Sequence, residues 1–195
     1  MPGYGVMPAA PRRSIGSALV AIVGAVVAAG LFVSVPADES GRVVEARPRA
    51  DRAIEVRHVA GRQYLAAYRD IVGIWTICDG LTRDVRAGMV ETPDGCLIRL
   101  ERELVEHATR IRACTPQLFA TGREQQLHAA ISLSYNIGWP SFCASTAAHR
   151  FRAGQWAAGC DAFAMWKKAG RPLRVVPGLV NRRRREIRIC KAGLP

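Results

Sequence analysis

An uninterrupted apolar stretch near the N-terminus constrains this 195-residue chain more than any other feature. Residues 15–35, IGSALVAIVGAVVAAGLFVSV, contain no charged side chain. As a helix they would span roughly 30 Å, which is the thickness of the hydrocarbon core of a bilayer. Two arginines precede the stretch and two acidic residues follow it. This charge distribution predicts that residues 1–14 stay in the cytoplasm as a basic segment and that the rest of the chain is exported.

The composition of the stretch leaves its fate open. Nearly half of its residues are Ala, Gly or Ser, whose small side chains bury little apolar area and hold a helix only weakly in lipid. A permanent anchor is one interpretation, and a cleaved signal peptide is a second, since Val35-Pro36-Ala37 resembles a small-residue cleavage site. An export signal that enters the membrane uncleaved and later leaves it is the third. Each interpretation places residues 38–195 outside the cytoplasm.

Cysteine usage and charge fit an exported protein. All six cysteines lie beyond residue 75, no Cys-x-x-Cys pair occurs and the four histidines are scattered, so no zinc site is predicted. An even number of cysteines behind an export-type N-terminus favours disulfides, with buried free thiols in a cytosolic protein as the alternative. The net charge of +12 favours a polyanionic partner such as nucleic acid, anionic lipid or bacterial cell wall.

Hydrophobic periodicity predicts an α+β domain over residues 58–195, mostly helical, with one small hairpin near its start. Residues 36–57 are rich in Arg, Glu, Asp and Pro and are predicted to form a solvated linker. Loose helical spacing over residues 58–69 predicts a helix, and β-branched and aromatic residues around Gly73 predict the hairpin. Further helices are predicted over residues 92–114, 121–139, 145–154, 155–170 and 177–193. In the last of these, Arg182 to Arg185 are expected to face solvent.

Four pieces of sequence carry a resemblance to a known family: AAYRDIVGIWTICDGLT, SLSYNIGWPSFCAST, GCDAFAMWKKAG and GLVNRRRREIRIC. They follow the order found in the phage-type lysozymes of glycoside hydrolase family 24, and the chain resembles the signal-arrest-release endolysins of lambdoid phages in particular. The weakly apolar N-terminal helix fits the same group. The resemblance covers about residues 58–190. It implies a lysozyme-like fold, no cofactor or metal, and hydrolysis of the glycan strand of peptidoglycan during host lysis.

The resemblance also implies catalytic residues. The family pattern is Glu, eight residues, Asp, five residues, Thr; the Glu protonates the glycosidic oxygen, and the Asp and Thr organise water or stabilise charge. Asp70 and Thr76 have the required spacing. Asn136, near the end of a predicted buried helix, is expected beside the glycan cleft as a substrate-binding residue. Single residues of these types more often end helices or build strands, so these roles depend on the resemblance.

The general acid is missing where the pattern places it. Nine positions before Asp70 lies Gly61, and one inserted residue would bring Ala60 to the acid position. Neither side chain donates a proton, and loss of a general acid commonly costs about 10² to 10⁴-fold in rate. Asp79, where the family usually has an aromatic residue or His, and Glu55 are candidate substitute acids. The alternative is a catalytically degenerate, membrane-anchored protein of the lysozyme fold that binds peptidoglycan.

The expected fold implies cysteine pairs and partners as well. Closeness in that fold suggests the pairs Cys78–Cys96, Cys114–Cys143 and Cys160–Cys190. The expected partners are peptidoglycan glycan strands and the bacterial inner membrane, the latter through residues 15–35. The domain is then expected in the periplasm, either tethered or released, as a monomer. Nucleic-acid binding is disfavoured by the export segment and by the lack of interleaved basic and aromatic residues.

Overall fold

The protein, described as a computed structural model over residues 13–70 and 73–194, has the predicted α+β class: helices predominate and the strands are short. In chain order the elements are β1 (Arg13–Ile15), α1 (Ser17–Val23), α2 (Ala25–Glu39), β2 (Val43–Pro48), β3 (Ile54–Ala60), β4 (Tyr68–Arg69), β5 (Trp75–Thr76), α3 (Pro93–Cys114), α4 (Glu124–Ile137), α5 (Trp139–Cys143), α6 (Thr146–Arg152), α7 (Trp156–Asp161), β6 (Lys168–Ala169), β7 (Arg174–Val175) and α8 (Pro177–Lys191), with 3₁₀ turns at Pro116–Phe119 and Ala162–Met165.

The apolar N-terminal stretch is built into the domain as two helices. Gly24, with a φ of 80°, ends α1 in a conformation that favours glycine, and α2 leaves it at a bend of 118°. Helix α1 packs against α3, and α2 packs against α4 and β2. Within the described ranges no single helix has both the length and the apolar composition to cross a membrane, although α1 and α2 taken together do. The single membrane helix predicted over residues 15–35 is therefore not confirmed.

The segment predicted as a linker is ordered instead. Residues 36–39 complete α2, and β2 and β3 form an antiparallel hairpin to which β1 adds a third strand, in the order β1-β3-β2. Val44, Ile54 and Val56 are buried in the main hydrophobic cluster. Apolar and charged residues alternate along both strands, which gives the sheet one face for the core and one for water. The helix predicted over residues 58–69 is also wrong, because β3 extends to Ala60 and β4 begins at Tyr68.

The helices after residue 92 agree better with their prediction. Thr92 caps α3 by accepting the N–H of Gly95 at 3.0 Å, and Pro93 occupies the first turn. Helix α4 packs against α2, α3, α5 and α8, and eight of its residues are buried. The prediction that α4 is the buried central helix is therefore confirmed, and elements from both ends of the chain meet around it.

Three disulfides tie the domain together, and they are the three pairs that the resemblance implied. They join Cys78 to Cys96, Cys114 to Cys143 and Cys160 to Cys190. The sequence separations are 18, 29 and 30 residues. Cross-links of this length constrain the unfolded chain by roughly 3–4 kcal/mol each in the loop-entropy treatment. The first of them fixes the turn after β5 to the start of α3, next to the candidate site.

Candidate active site

Strands β4 and β5 carry the two residues that the family pattern assigns. Tyr68 pairs with Thr76 across the hairpin, and Asp70 directly follows β4. The Asp70 Oδ1 accepts the backbone N–H of Ile74 at 2.8 Å, which fixes the carboxylate to the turn. Thr76 is buried, and its hydroxyl donates to the Ile74 carbonyl at 3.1 Å. The hairpin thus brings Asp70 and Thr76 to the same small structural unit; their catalytic roles stay predictions.

Glu39, the last residue of α2, lies against the turn that follows β5, although β2 and β3 separate the two in the sequence. Its Oε1 accepts a hydrogen bond from Nη1 of Arg182 in α8 at 2.5 Å. Its Oε2 lies only 2.9 Å from where a Cβ would stand on Gly80, so a larger residue there would displace the carboxylate. The Glu39 side chain is 18% exposed. A carboxylate held by one cation and still open to solvent is suited to exchange a proton with a ligand.

The pKa of Tyr68 is affected by three neighbouring carboxylates. Burial first, and then the neighbouring phenol of Tyr64, raise the pKa of Tyr68. The charges of Asp70, Glu39 and Asp79 raise this pKa further, in that order. Since such interactions weaken with distance, all three carboxylates lie within electrostatic range of the Tyr68 hydroxyl. Asp70 and Glu39, an acid that the sequence analysis did not consider, therefore both act on this tyrosine.

Arg182 belongs to a buried cluster of charges on α8. Its Nε lies 3.1 Å from Glu186 and 3.7 Å from Asp38, in addition to the bond to Glu39. Burial acts to lower the pKa of Arg182, but the surrounding carboxylates outweigh burial and raise it. The expectation that Arg182 to Arg185 all face solvent is wrong for the first two, which are buried because acidic partners lie there.

Asn136 contacts this charge cluster. Its Oδ1 accepts a hydrogen bond from Nη2 of Arg183 at 3.1 Å. Arg183 is itself paired with Glu186 at 2.9 Å, and burial lowers the pKa of Arg183 to about 10. Asn136 thus connects the end of α4 to α8, the helix that also carries Arg182. Its role in glycan binding stays a prediction.

A cavity of about 190 Å³ opens beside Gly80. Its wall combines the turn after β5 with α3 and α4, and it contains an ion pair in which Arg83 Nε lies 3.3 Å from Glu103. Burial raises the pKa of Glu103 and lowers that of His107 to about 4, so this histidine is neutral near pH 7. The lining residues are Gly80, Leu81, Thr82, Arg83, Glu103, His107 and Tyr135. Its polar groups suit a hydroxyl-rich ligand, and Gly80 in its wall is the residue against which Glu39 lies.

The two candidate substitute acids have different environments, and only Asp79 is enclosed. Asp79 is 2% exposed and is bound by Arg42, with Nη2 at 2.5 Å from Oδ2 and Nε at 3.0 Å from Oδ1. The Ser40 hydroxyl also donates to Asp79 Oδ1, at 2.8 Å. Glu55 is 20% exposed with Arg49 Nη1 at 3.5 Å, but it lies on β3 in the β1-β3-β2 sheet and not in the β4–β5 hairpin. This geometry does not favour either residue as a proton donor to a ligand.

The chain passes through β2 and β3 between Glu39 and the β4–β5 hairpin, so Glu39 lies far from Asp70 in sequence. A Cβ on Gly61 would lie 2.8 Å from the Gly41 carbonyl oxygen, so the chain leaves and rejoins this region at neighbouring points. Gly61 has a φ of 88°, which an L-residue adopts only under strain, and Ala60 is exposed at the end of β3. Neither position is built for the acid. A Glu followed closely by Gly at the end of an apolar helix was the signal that could have identified Glu39.

Known proteins match the chain over most of its length. Residues 61–186 match the Phage lysozyme family. The SAR-endolysin of Enterobacteria phage P21 is 29% identical over 188 residues, which cover 96% of this chain and 99% of the relative. The SAR-endolysin of Pseudomonas phage phiKMV is 39% identical over 127 residues, covering 64% of this chain and 76% of that one.

A solved structure shares the fold. The endolysin from Escherichia coli O157:H7 phage FAHEc1 superposes with a TM-score of 0.65, over 85% of this chain and 92% of the other, at 22% identity. This likeness extends to the fold alone, whereas the family match spans the hairpin with Asp70 and Thr76 and the helix with Arg182. The chain therefore belongs to the phage lysozyme family and is a phage-type lysozyme that resembles the SAR-endolysins.

Proposed function

We propose that the protein is an endolysin-type lysozyme that hydrolyses the glycan strand of peptidoglycan, with Glu39 as its general acid. The observation that carries this proposal is the placement of the Glu39 carboxylate over Gly80, bound by Arg182 and partly exposed. It supplies the second carboxylate that the glycosidase chemistry needs. The family match and the endolysin relatives support the substrate class.

In the proposed reaction, Glu39 donates its proton to the glycosidic oxygen as the bond to the sugar carbon breaks. Positive charge develops on that sugar ring, and water attacks its anomeric carbon. Asp70 accepts the proton of this water, and Thr76 helps to hold the water or the ring. Once Glu39 has lost its proton, the adjacent Arg182 cation stabilises the carboxylate. Solvent then reprotonates Glu39 and takes up the proton that Asp70 accepted.

The N-terminal segment is proposed to serve twice. Residues 15–35 direct export, with the membrane-inserted or the released form outside the cytoplasm, and α1 and α2 then pack into the domain. The likeness to the SAR-endolysin of phage P21, which covers 96% of this chain, supports a membrane-inserted or released form. Because Glu39 is the last residue of α2, the general acid reaches the site only when α2 is packed there. The active form is the one with α2 inside.

The direct test uses the full chain, since α2 contributes seven buried residues that a truncated domain would lack. We expect purified protein to clear peptidoglycan suspensions and to release fragments with new reducing ends. Mass spectrometry identifies these fragments. Glu39→Gln should lose about 10²–10⁴-fold of this rate. Glu45→Gln, at an exposed position of β2, is the matched control and should retain it.

Two results would change the proposal. A Glu39→Gln protein with wild-type activity would remove Glu39 as the acid and return attention to Asp79 and Glu55. A wild-type protein that sediments with peptidoglycan but yields no reducing ends would establish the alternative, a degenerate lysozyme fold that binds the wall.

A further inference from the structure

The turn formed by Asp79 and Gly80 holds the end of α2. We propose that the buried Arg42–Asp79 ion pair is a positioning device that sets the Glu39 carboxylate against the hairpin that carries Asp70 and Thr76. This inference rests on the proposed role of Glu39. It assigns Asp79 a function through Glu39 rather than as a proton donor.

The contacts join two short stretches of chain. Asp79 Oδ1 accepts hydrogen bonds from the Ser40 hydroxyl at 2.8 Å and from Arg42 Nε at 3.0 Å, and Oδ2 pairs with Arg42 Nη2 at 2.5 Å. The next residue, Gly80, leaves the space that Glu39 occupies. Two residues of the turn therefore contact three of the four residues that end α2 and lead into β2.

The backbone of both partners is fixed independently. The N–H groups of Ser40 and Arg42 both donate to the Pro36 carbonyl, at 3.0 and 3.3 Å. On the other side, the Tyr135 hydroxyl donates to the Asp79 carbonyl at 2.9 Å, and the preceding Cys78 is in a disulfide. A contact between two fixed backbones transmits position, because neither side can relax without breaking further bonds.

Burial makes this pair an unusual choice for stability alone. The side chains of Arg42 and Asp79 are 4% and 3% exposed. Removing two charges from water is costly, and apolar side chains of similar volume often stabilise a core equally well. What the ion pair adds is a single geometry: the guanidinium fork and the carboxylate meet in one orientation. That orientation sets where α2 ends relative to β5.

The charged groups around Glu39 predict how the pH–activity profile changes when the Arg42–Asp79 pair is altered. Arg182 binds it from α8, Asp38 precedes it, and the Arg42–Asp79 pair lies beside it as a neutral unit. Its charge also acts on Tyr68 of β4 and Tyr135 of α4. Asp79→Asn leaves the Arg42 cation unmatched near the acid and should move the alkaline limb of the pH–activity profile to lower pH. Arg42→Gln leaves a carboxylate unmatched and should move that limb to higher pH.

The experiment measures kcat and KM of the full-length protein on soluble glycan strands. We expect Asp79→Asn to lower kcat about 10- to 100-fold with KM changed less than about threefold, since small displacements of a catalytic group have effects of this size. In a Glu39→Gln background the same substitution should lower the residual rate no further. Glu91→Gln, which removes the Arg99–Glu91 pair at the start of α3, is the control and should keep wild-type kcat.

Two further variants cover a failure of Asp79→Asn to fold. Ser40→Ala removes one bond and keeps the ion pair, and Arg42→Gln/Asp79→Asn keeps hydrogen bonding without charge; both should lower kcat severalfold. Wild-type kcat in both, or an equal loss in the Glu39→Gln background, overturns the positioning role. Full activity of Glu39→Gln itself overturns the proposed function instead, so the two failures are distinguishable.

Discussion

Helix α2 and the β2–β3 hairpin follow each other in the chain but use charge in opposite ways. At the end of α2, Asp38 and Glu39 pair with Arg182, whose side chain is 4% exposed. In the hairpin, Glu45 pairs with Arg47 and Arg57, and all three side chains are substantially exposed. Breaking a buried pair typically costs about 3–5 kcal/mol, whereas an exposed pair contributes roughly 0–1 kcal/mol. The charges that matter are thus the few that the fold removes from water.

Small residues let α2 pack closely against α4. The ring of His128 in α4 lies against Gly30, where an added Cβ would stand 2.8 Å from Cε1, and the His128 Nε2 is 2.8 Å from the Ser34 hydroxyl. The same small side chains that bury little apolar area therefore let α2 approach α4 closely. The hairpin has no comparable contact with α4, and its buried residues pack on α2 and the neighbouring strands.

The largest effect is expected where the buried charges meet. Arg182→Met removes the common partner of Asp38, Glu39 and Glu186 and leaves their carboxylates buried without it. We expect a loss of about 3–5 kcal/mol in the free energy of unfolding, measured by urea titration, and a large loss of lytic activity. The exposed Arg184→Met, two residues further along α8, is the control and should change both by little. Equal effects of the two substitutions would contradict the conclusion that the buried charges contribute more to stability and activity than the exposed ones.

A second prediction concerns the contact between α2 and α4. In a helix, Gly→Ala normally stabilises by about 0.5–1 kcal/mol. Gly30→Ala should instead destabilise by about 1–3 kcal/mol, because its Cβ would overlap the His128 ring. Gly178→Ala in α8, where no atom lies within 4 Å of the added Cβ, should be neutral or stabilising. Thermal unfolding of both variants checks the sign, and stabilisation by Gly30→Ala would show that the ring moves aside.

The third prediction follows from the burial of His128, which lowers its pKa to about 4. An unfolded histidine takes up a proton near pH 6.5, while the folded one does not until about pH 4. The free energy of unfolding should therefore fall as the pH drops through this window, by up to about 1.4 kcal/mol per pH unit for this group. His128→Gln should flatten the slope measured between pH 7 and 5. An unchanged slope would assign the pH dependence to other groups.

The fold was predictable from sequence where periodicity and local signals agree. Thr92 and Pro93 mark the start of α3, and the apolar residues of α4 cover most of its circumference, so both helices were identified. The disulfides followed from the resemblance once the order of these helices was expected. The N-terminal third was not identified, because a 21-residue apolar stretch has the same composition as a membrane helix and as a helix buried in a domain.

The candidate site was half predictable for a related reason. Asp70 and Thr76 lie in one hairpin, so their spacing in sequence reflects their spacing in space. Glu39 is separated from them by β2 and β3, and no local count can show that Gly41 and Gly61 are neighbours. That contact is a tertiary property, set by antiparallel pairing over residues 43–60 and by the packing of Val44 on the core.

The smallest effect is expected in the hairpin. Arg57 Nη2 lies 2.8 Å from Glu45 Oε1, and the two side chains are 31% and 44% exposed. Because water and salt screen such a pair, Arg57→Ala should cost less than about 1 kcal/mol and leave lytic activity unchanged. Urea titrations in low and high salt check this, since the cost should shrink as ionic strength rises. A salt-independent loss approaching that of Arg182→Met would mean that the hairpin, like α2, helps to position the site, and the contrast between the two regions would fail.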